Sequence, residues 1–233
     1  MVGERHDRVF AAIPVKAAAK SKTRLSNLFK PWERACLTHA MLRDVLGTVF
    51  DSQIFMNVVV ISSDPEIQIL ASEFGAYTLH EYGGGLNRAV EQVTRWCIRN
   101  GADSTLILPS DIPLLTVEDI TGLVELGSDW RRVVASPSND GGTNALLRTP
   151  PDVIPSFFGS ESFEAHLSAA KAARVKAEVY RSPSIALDID SAEDIEHLLC
   201  EPRETLTKRF IEKLNIRAEL KGALYSAREL KES

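Results

Sequence analysis

The chain has 233 residues, 44% hydrophobic and 25% charged, with a formal net charge of −5. That is enough apolar material for one good core with an appendage, and positive charge is massed on no predicted element outside one short N-terminal loop, a weak footprint for nucleic acid. No stretch approaches the roughly 18 apolar residues of a membrane span, the start Met1-Val2-Gly3-Glu4-Arg5-His6-Asp7-Arg8 lacks the layout of a secretory signal, and the cysteines are odd in number and widely spaced. The expectation is a cytoplasmic protein with reduced cysteines that binds neither membrane nor nucleic acid.

In chain order, residues 9–15 are an apolar run predicting a strand, followed by the basic stretch 16–24 and by Pro31, a residue suited to the first turn of a helix. Leu37, Met41, Val45 and Val49 recur with helical spacing over 32–50, and the β-branched run 58–61 predicts a central parallel strand. Asp64-Pro65 opens a helix reaching 74, a short strand follows at 76–79, and Gly83-Gly84-Gly85 turns the chain. The next helix carries Leu86, Ala89, Val90, Val93 and Cys97 on one face and stops at Asn100-Gly101.

The apolar run 105–108 then leads to Asp111. Thr116 with Asp119, and Ser191 with Asp194, read as capping boxes that start helices. Strands are predicted at 132–136 and 143–147, joined by Asn139-Asp140-Gly141-Gly142, then a helix over 162–173 and a strand at 176–180. The run 185–190 reads as a further buried strand ending in Asp188 and Asp190. Regular alternation of strands and helices predicts an α/β fold, a doubly wound, mostly parallel sheet in a three-layer α/β/α arrangement. One domain is expected over 1–200, with 201–233 as a charged extension containing a helix at 205–214.

Asp111, Asp188 and Asp190 each follow an apolar run and precede a helix start, the edge where open α/β sheets bind ligands. Alone, Asp111 reads better as an N-cap or turn residue before Pro113. Asp188 and Asp190 are alternate residues of an extended segment, so both carboxylates can face one site, where two like charges call for a cation between them; two solvated acids at a half-exposed strand end are the other reading. Oxygen donors without nearby His or Cys suit magnesium. The loop 16–24 has no glycine, so any phosphate there must be met by side chains: Lys22 as a mobile point charge and Arg24 through its bidentate fork. A solvated basic loop is the other reading. His39, His80, His166 and His197 suggest surface or satisfied core histidines rather than a catalytic base.

Taken in order, Ile13-Pro14-Val15-Lys16, Lys22-Thr23-Arg24-Leu25, Met41-Leu42-Arg43-Asp44-Val45-Leu46, Gly85-Leu86-Asn87, Ser110-Asp111-Ile112-Pro113-Leu114, Gly141-Gly142-Thr143-Asn144-Ala145-Leu146, Phe158-Gly159-Ser160-Glu161-Ser162-Phe163 and Asp188-Ile189-Asp190 resemble the 2-phospho-L-lactate guanylyltransferase family. The resemblance spans about residues 10–199. It implies a fold like that of the nucleotide-diphospho-sugar transferases and molybdenum-cofactor guanylyltransferases, although the glycine-rich first loop of those relatives is missing here. It further implies magnesium on Asp111, Asp188 and Asp190, and a phosphorylated three-carbon acid on Thr143, Gly159 and Ser162. GTP would meet Pro14, Val15, Lys22, Gly85, Asn87 and Asp111, with Lys22, Arg24 and Asp111 acting in catalysis.

The implied reaction moves GMP from GTP to the phosphate of 2-phospho-L-lactate and releases pyrophosphate, in deazaflavin coenzyme biosynthesis, with a homodimer as the working form. Phosphoenolpyruvate or 3-phosphoglycerate as acceptor, a sugar-phosphate or molybdopterin nucleotidyltransferase, and a catalytically silent GTP-binding module are the alternatives.

Overall fold

The apolar runs pair through their backbones into one sheet of seven strands. The computed structural model describes residues 8–18, 21–214, 216, 219, 220 and 222–224. Residues 1–7, Ala19 and Lys20 of the basic stretch, and the remaining positions of the C-terminal extension lie outside the described residues.

The first half alternates strictly: β1 (Val9–Pro14), α1 (Pro31–Asp51), β2 (Asn57–Ser62), α2 (Pro65–Glu73), β3 (Tyr77–His80) and α3 (Leu86–Arg99). The second half runs β4 (Ser104–Ile107), α4 (Val117–Leu126), β5 (Arg132–Pro137), β6 (Thr143–Thr149), α5 (Ser162–Ala172) and β7 (Lys176–Val179). Short α6 (Pro183–Ala186), α7 (Ala192–Cys200) and α8 (Leu206–Leu214) follow.

The strand order is β3-β2-β1-β4-β6-β5-β7. Every neighbouring pair is parallel except those made by β6, which is antiparallel to β4 and β5. Successive side chains of a strand point to opposite faces, and the core divides accordingly. Val9, Ala11 and Ile13 pack with residues of α1, α2 and α4, whereas Phe10 and Ala12 pack with residues of α3 and α5.

Two features of this topology position the site. The chain adds β2 and β3 on one side of β1 and β4 on the other, so the loops leaving β1 and β4 splay apart and open a crevice. Because β6 is reversed, with Leu146 opposite Ile107, its first residues reach the edge where the parallel strands end.

The run 185–190 differs from expectation. It joins no ladder: Pro183 opens the short α6, and an extended segment follows from Leu187. Proline fixes its own φ and brings no backbone N–H, so it starts a helical turn more readily than a ladder strand. The period of two survives without the ladder, since Leu187 and Ile189 are buried while Asp188 and Asp190 are partly exposed. The Ile189 N–H donates to the Asp111 carbonyl at 3.0 Å, which ties the segment to the loop after β4.

A third cluster lies under that crevice. Leu25, Phe29, Leu37, Met41, Ile189 and Ile211 join the basic loop, α1, the acidic segment and α8. Burying a leucine such as Leu25 contributes about 2 kcal/mol, which anchors an otherwise polar loop. Asp44 on α1 accepts hydrogen bonds from the Leu206 and Thr207 amides and from the Thr207 hydroxyl, capping α8 and holding it to the domain.

Candidate active site

Each acidic residue reaches the site by a different local device. Asp111 lies beyond β4, just ahead of α4, whose start is fixed by the predicted box: Asp119 N–H donates to Thr116 Oγ1, and Asp119 Oδ2 accepts from the Thr116 amide. Asp188 and Asp190 sit on the extended segment before α7, where Ser191 and Asp194 form the second box. One carboxylate oxygen from each of Asp111, Asp188 and Asp190 lies within 4.8 Å of the others.

Lys22 enters the cluster from the first loop, its backbone left-handed at φ 52° just before the 3-10 turn Thr23–Leu25. Its ammonium bridges Asp111 Oδ2 and Asp190 Oδ1, at 2.6 Å each. Burial alone would lower its pKa, but the two carboxylates outweigh that and hold it above the ordinary lysine value. Burial pushes Asp190 the other way; the charges of Lys22, Arg24 and Lys16 prevail and leave it below the usual carboxylate range.

Asp188 pairs with no such cation among the described residues. Burial, and then the charge of Asp111, push its carboxyl up to about 6 despite a 3.0 Å hydrogen bond from Asn144 Nδ2. Among the described residues the Lys22 ammonium is the only cation in hydrogen-bond contact with any of the three carboxylates, and a donor set of oxygens alone fits a hard divalent cation. Asn144 belongs to the glycine-turn motif, and the sequence alone assigns it no task. Its neighbour Thr143 points to the other face of β6, so alternation along the strand is the signal that separates the two.

Of the remaining predicted residues, Arg24 is exposed on the 3-10 turn, near enough for its charge to act on Asp190. Pro14 ends β1, and the Val15 amide donates to the Ile61 carbonyl at 2.9 Å. Gly85 caps α3 with φ 86°, which side-chain-bearing residues rarely adopt, and a Cβ there would meet only open space. Asn87 pairs both ways with the Phe158 backbone: Nδ2 donates to its carbonyl at 2.9 Å and Oδ1 accepts from its amide at 2.7 Å. The glycine turn is thereby fastened to the loop before α5.

That loop carries Gly159, at φ 138°, and leads to Ser162, whose hydroxyl donates to Thr143 Oγ1 at 3.0 Å. Thr143 and Ser162 are therefore brought together, with His166 at 3.0 Å from the same oxygen. Among the predicted residues the structure thus joins two groups, Lys22 with Asp111, Asp188 and Asp190, and Thr143 with Ser162. The consecutive residues Thr143 and Asn144 connect them, the first bonded to Ser162 and the second to Asp188.

The family described as Guanylyl transferase CofC like matches this chain over residues 9–232. The chain belongs to that family. Its relatives include a phosphoenolpyruvate guanylyltransferase of Rubrobacter xylanophilus, 39% identical over 191 residues, covering 82% of this chain and 93% of the relative. A 2-phospho-L-lactate guanylyltransferase of Methanobrevibacter ruminantium is 34% identical over 225 residues, covering 91% and 94%. A 3-phospho-D-glycerate guanylyltransferase of Colwellia psychrerythraea is 34% identical over 193 residues, covering 82% and 91%.

The fold is shared with solved nucleotidyltransferases. A chain from Desulfovibrio desulfuricans, provisionally named a nucleotide-diphospho-sugar transferase, superposes with a TM-score of 0.75 at 16% identity, covering 92% of this chain and 97% of that one. A nucleotidyl transferase of Methanothermobacter thermautotrophicus gives 0.62 at 12%, covering 89% and 99%. The family is one of guanylyltransferases, and this chain is a nucleotidyltransferase.

Proposed function

We propose that the protein transfers GMP from GTP to the phosphate of a phosphorylated three-carbon acid, with 2-phospho-L-lactate as acceptor in deazaflavin coenzyme biosynthesis. The observation that carries this reading is the cluster of Asp111, Asp188 and Asp190 around Lys22, at the crevice between β1 and β4. A phosphate oxygen of the acceptor attacks the α-phosphorus of GTP, the bond from that phosphorus to the bridging oxygen breaks, and pyrophosphate leaves. No covalent enzyme intermediate is required. Positioning and charge neutralisation supply the catalysis.

Asp111, Asp188 and Asp190 would hold magnesium, which when bound supplies Lewis-acid stabilisation of charge at the phosphate. Lys22 and Arg24 offset charge on the departing pyrophosphate. Pro14, Val15, Gly85 and Asp111 serve the nucleotide side, Asn87 fastens that side to the acceptor loop, and Thr143, Gly159 and Ser162 hold the acid. We further propose a cytoplasmic homodimer whose catalytic domain spans 1–200, with 201–233 as its extension.

A matrix of nucleotides against acids, with pyrophosphate as the readout, tests the proposal. GTP with 2-phospho-L-lactate should give the highest kcat/KM, and no release in any combination would overturn guanylyl transfer. The similarity to the R. xylanophilus protein makes phosphoenolpyruvate the second acceptor to try.

A further inference from the structure

Thr143, Ser162 and His166 form a hydrogen-bonded unit whose proton positions follow from its geometry. The Phe157 amide, which can only donate, meets His166 Nε2 at 2.9 Å, so that nitrogen is an acceptor. The ring is fully buried, and burial, followed by the charge of Arg148, pulls its pKa down to about 4, so it is neutral near pH 7. A neutral imidazole that accepts at Nε2 carries its proton on Nδ1. Nδ1–H therefore donates to Thr143 Oγ1 at 3.0 Å, and the Ser162 hydroxyl donates to the same oxygen at 3.0 Å.

Both lone pairs of Thr143 Oγ1 are then engaged. Its own hydrogen has no acceptor among the described residues, although the side chain is buried. Phe158 holds the ring edge-on at 5.1 Å and Phe157 lies at 6.0 Å, so the imidazole cannot turn to exchange its nitrogens without disturbing both.

We propose that His166 is a positioning residue for the acceptor: by making Thr143 Oγ1 a double acceptor, it leaves the threonine hydrogen as a fixed donor to an oxyanion of the acid. A hydroxyl so constrained favours a group that only accepts, such as an ionised phosphate or carboxylate, over a neutral alcohol that also needs to donate. The same geometry excludes His166 as a general base, since Nε2 is covered by the Phe157 amide and Nδ1 already holds its proton. The inference rests on the reading of Thr143 and Ser162 as acceptor contacts.

The test compares full-length variants by steady-state kinetics. His166→Gln keeps an acceptor near the Nε2 position but loses the donor to Thr143, and should raise the acceptor KM about tenfold while the KM for GTP is unchanged. His166→Asn places a donor near Nδ1 and should restore most of that loss. In a Thr143→Val background His166→Gln should change the acceptor KM no further, because the group it acts through is gone. Additive effects, or equal changes in both KM values, would overturn the proposal.

A second readout needs no turnover. Nitrogen NMR, with His166 assigned by its loss in His166→Gln, should show a ring protonated on Nδ1 at pH 7 and shifted on adding 2-phospho-L-lactate, phosphoenolpyruvate or 3-phosphoglycerate. A ring protonated on Nε2, or one unmoved by all three acids, sinks the idea. Wild-type protein that releases no pyrophosphate counts against the guanylyl-transfer reading alone, and the nitrogen spectrum then decides this one.

Discussion

Asp190 shares Lys22 with Asp111 and is the more exposed of the two, with 43% of its side chain open against 25% for Asp111. Replacing it with asparagine keeps the volume and removes a charge that makes no contribution to the core. Asp190→Asn should fold with a Tm within a few degrees of wild type and lose at least about a hundredfold in kcat, the scale of losing a charged group from a phosphoryl site. Near-normal turnover would return Asp190 to the solvated end of its segment.

His166 permits a prediction on pH at the same scale. Its folded-state pKa of about 4 lies below the ordinary 6.5, so between those values the unfolded chain binds a proton that the folded chain refuses. Stability from this group is complete above about pH 6.5 and falls as the pH drops, by at most about 3 kcal/mol near pH 4. Asp188, held up at about 6, acts in the opposite sense because its folded form keeps a proton that the unfolded form releases. The quantity to measure is therefore the change in urea midpoint between pH 7 and 5 in wild type against His166→Gln. A variant as acid-sensitive as wild type would show that His166 is not the group responsible.

At the scale of elements, devices confined to a few adjacent residues were legible in the sequence. Thr116 with Asp119 and Ser191 with Asp194 are capping boxes whose partners lie three positions apart, and both form as read. The failure at 185–190 has the opposite cause: a strand exists only if a neighbour pairs with it, and pairing is decided by distant segments. The task of His166 was equally hidden, because its partners Thr143, Phe157 and Ser162 meet only after β6 and α5 have packed.

Asp119 illustrates a local signal with a distant consequence. Besides capping α4 it accepts from the Ser184 hydroxyl at 2.5 Å and from Tyr180 at 3.3 Å, so it also holds α6 ahead of the acidic segment. Burial raises its carboxyl, but the hydroxyls of Ser182, Ser184 and Thr116 outweigh burial and keep it ionised. Asp119→Ala should cost about 2–3 kcal/mol by urea denaturation, from the lost cap and the stranded hydroxyls, and should lower kcat as well. A stability loss with unchanged kcat would mean that α6 needs no such support.

For the molecule as a whole, the alternation of strands and helices is enough to foresee layers and sheet, and a hairpin, one reading of the tight glycine turn, is what reverses β6. Asn139-Asp140-Gly141-Gly142 points to a turn between two strands, and the resulting hairpin is what brings Thr143 and Asn144 to the edge where the parallel strands end. The charged C-terminal stretch gave no sign that α8 would be capped by Asp44, a residue 162 positions from Leu206.

Lys22 has one more consequence for the whole molecule. A metal centre without a counter-ion of its own flies apart or fails to form when the metal is stripped, and such proteins melt on chelation. Here the ammonium already clasps two of the three acids, so the acidic edge carries its own spare cation. EDTA should stop pyrophosphate release completely and reversibly while leaving the far-ultraviolet circular dichroism unchanged and the Tm lowered by only a few degrees. In Lys22→Met the same chelation should loosen the fold measurably, because nothing would then stand between like charges once the proposed metal is removed.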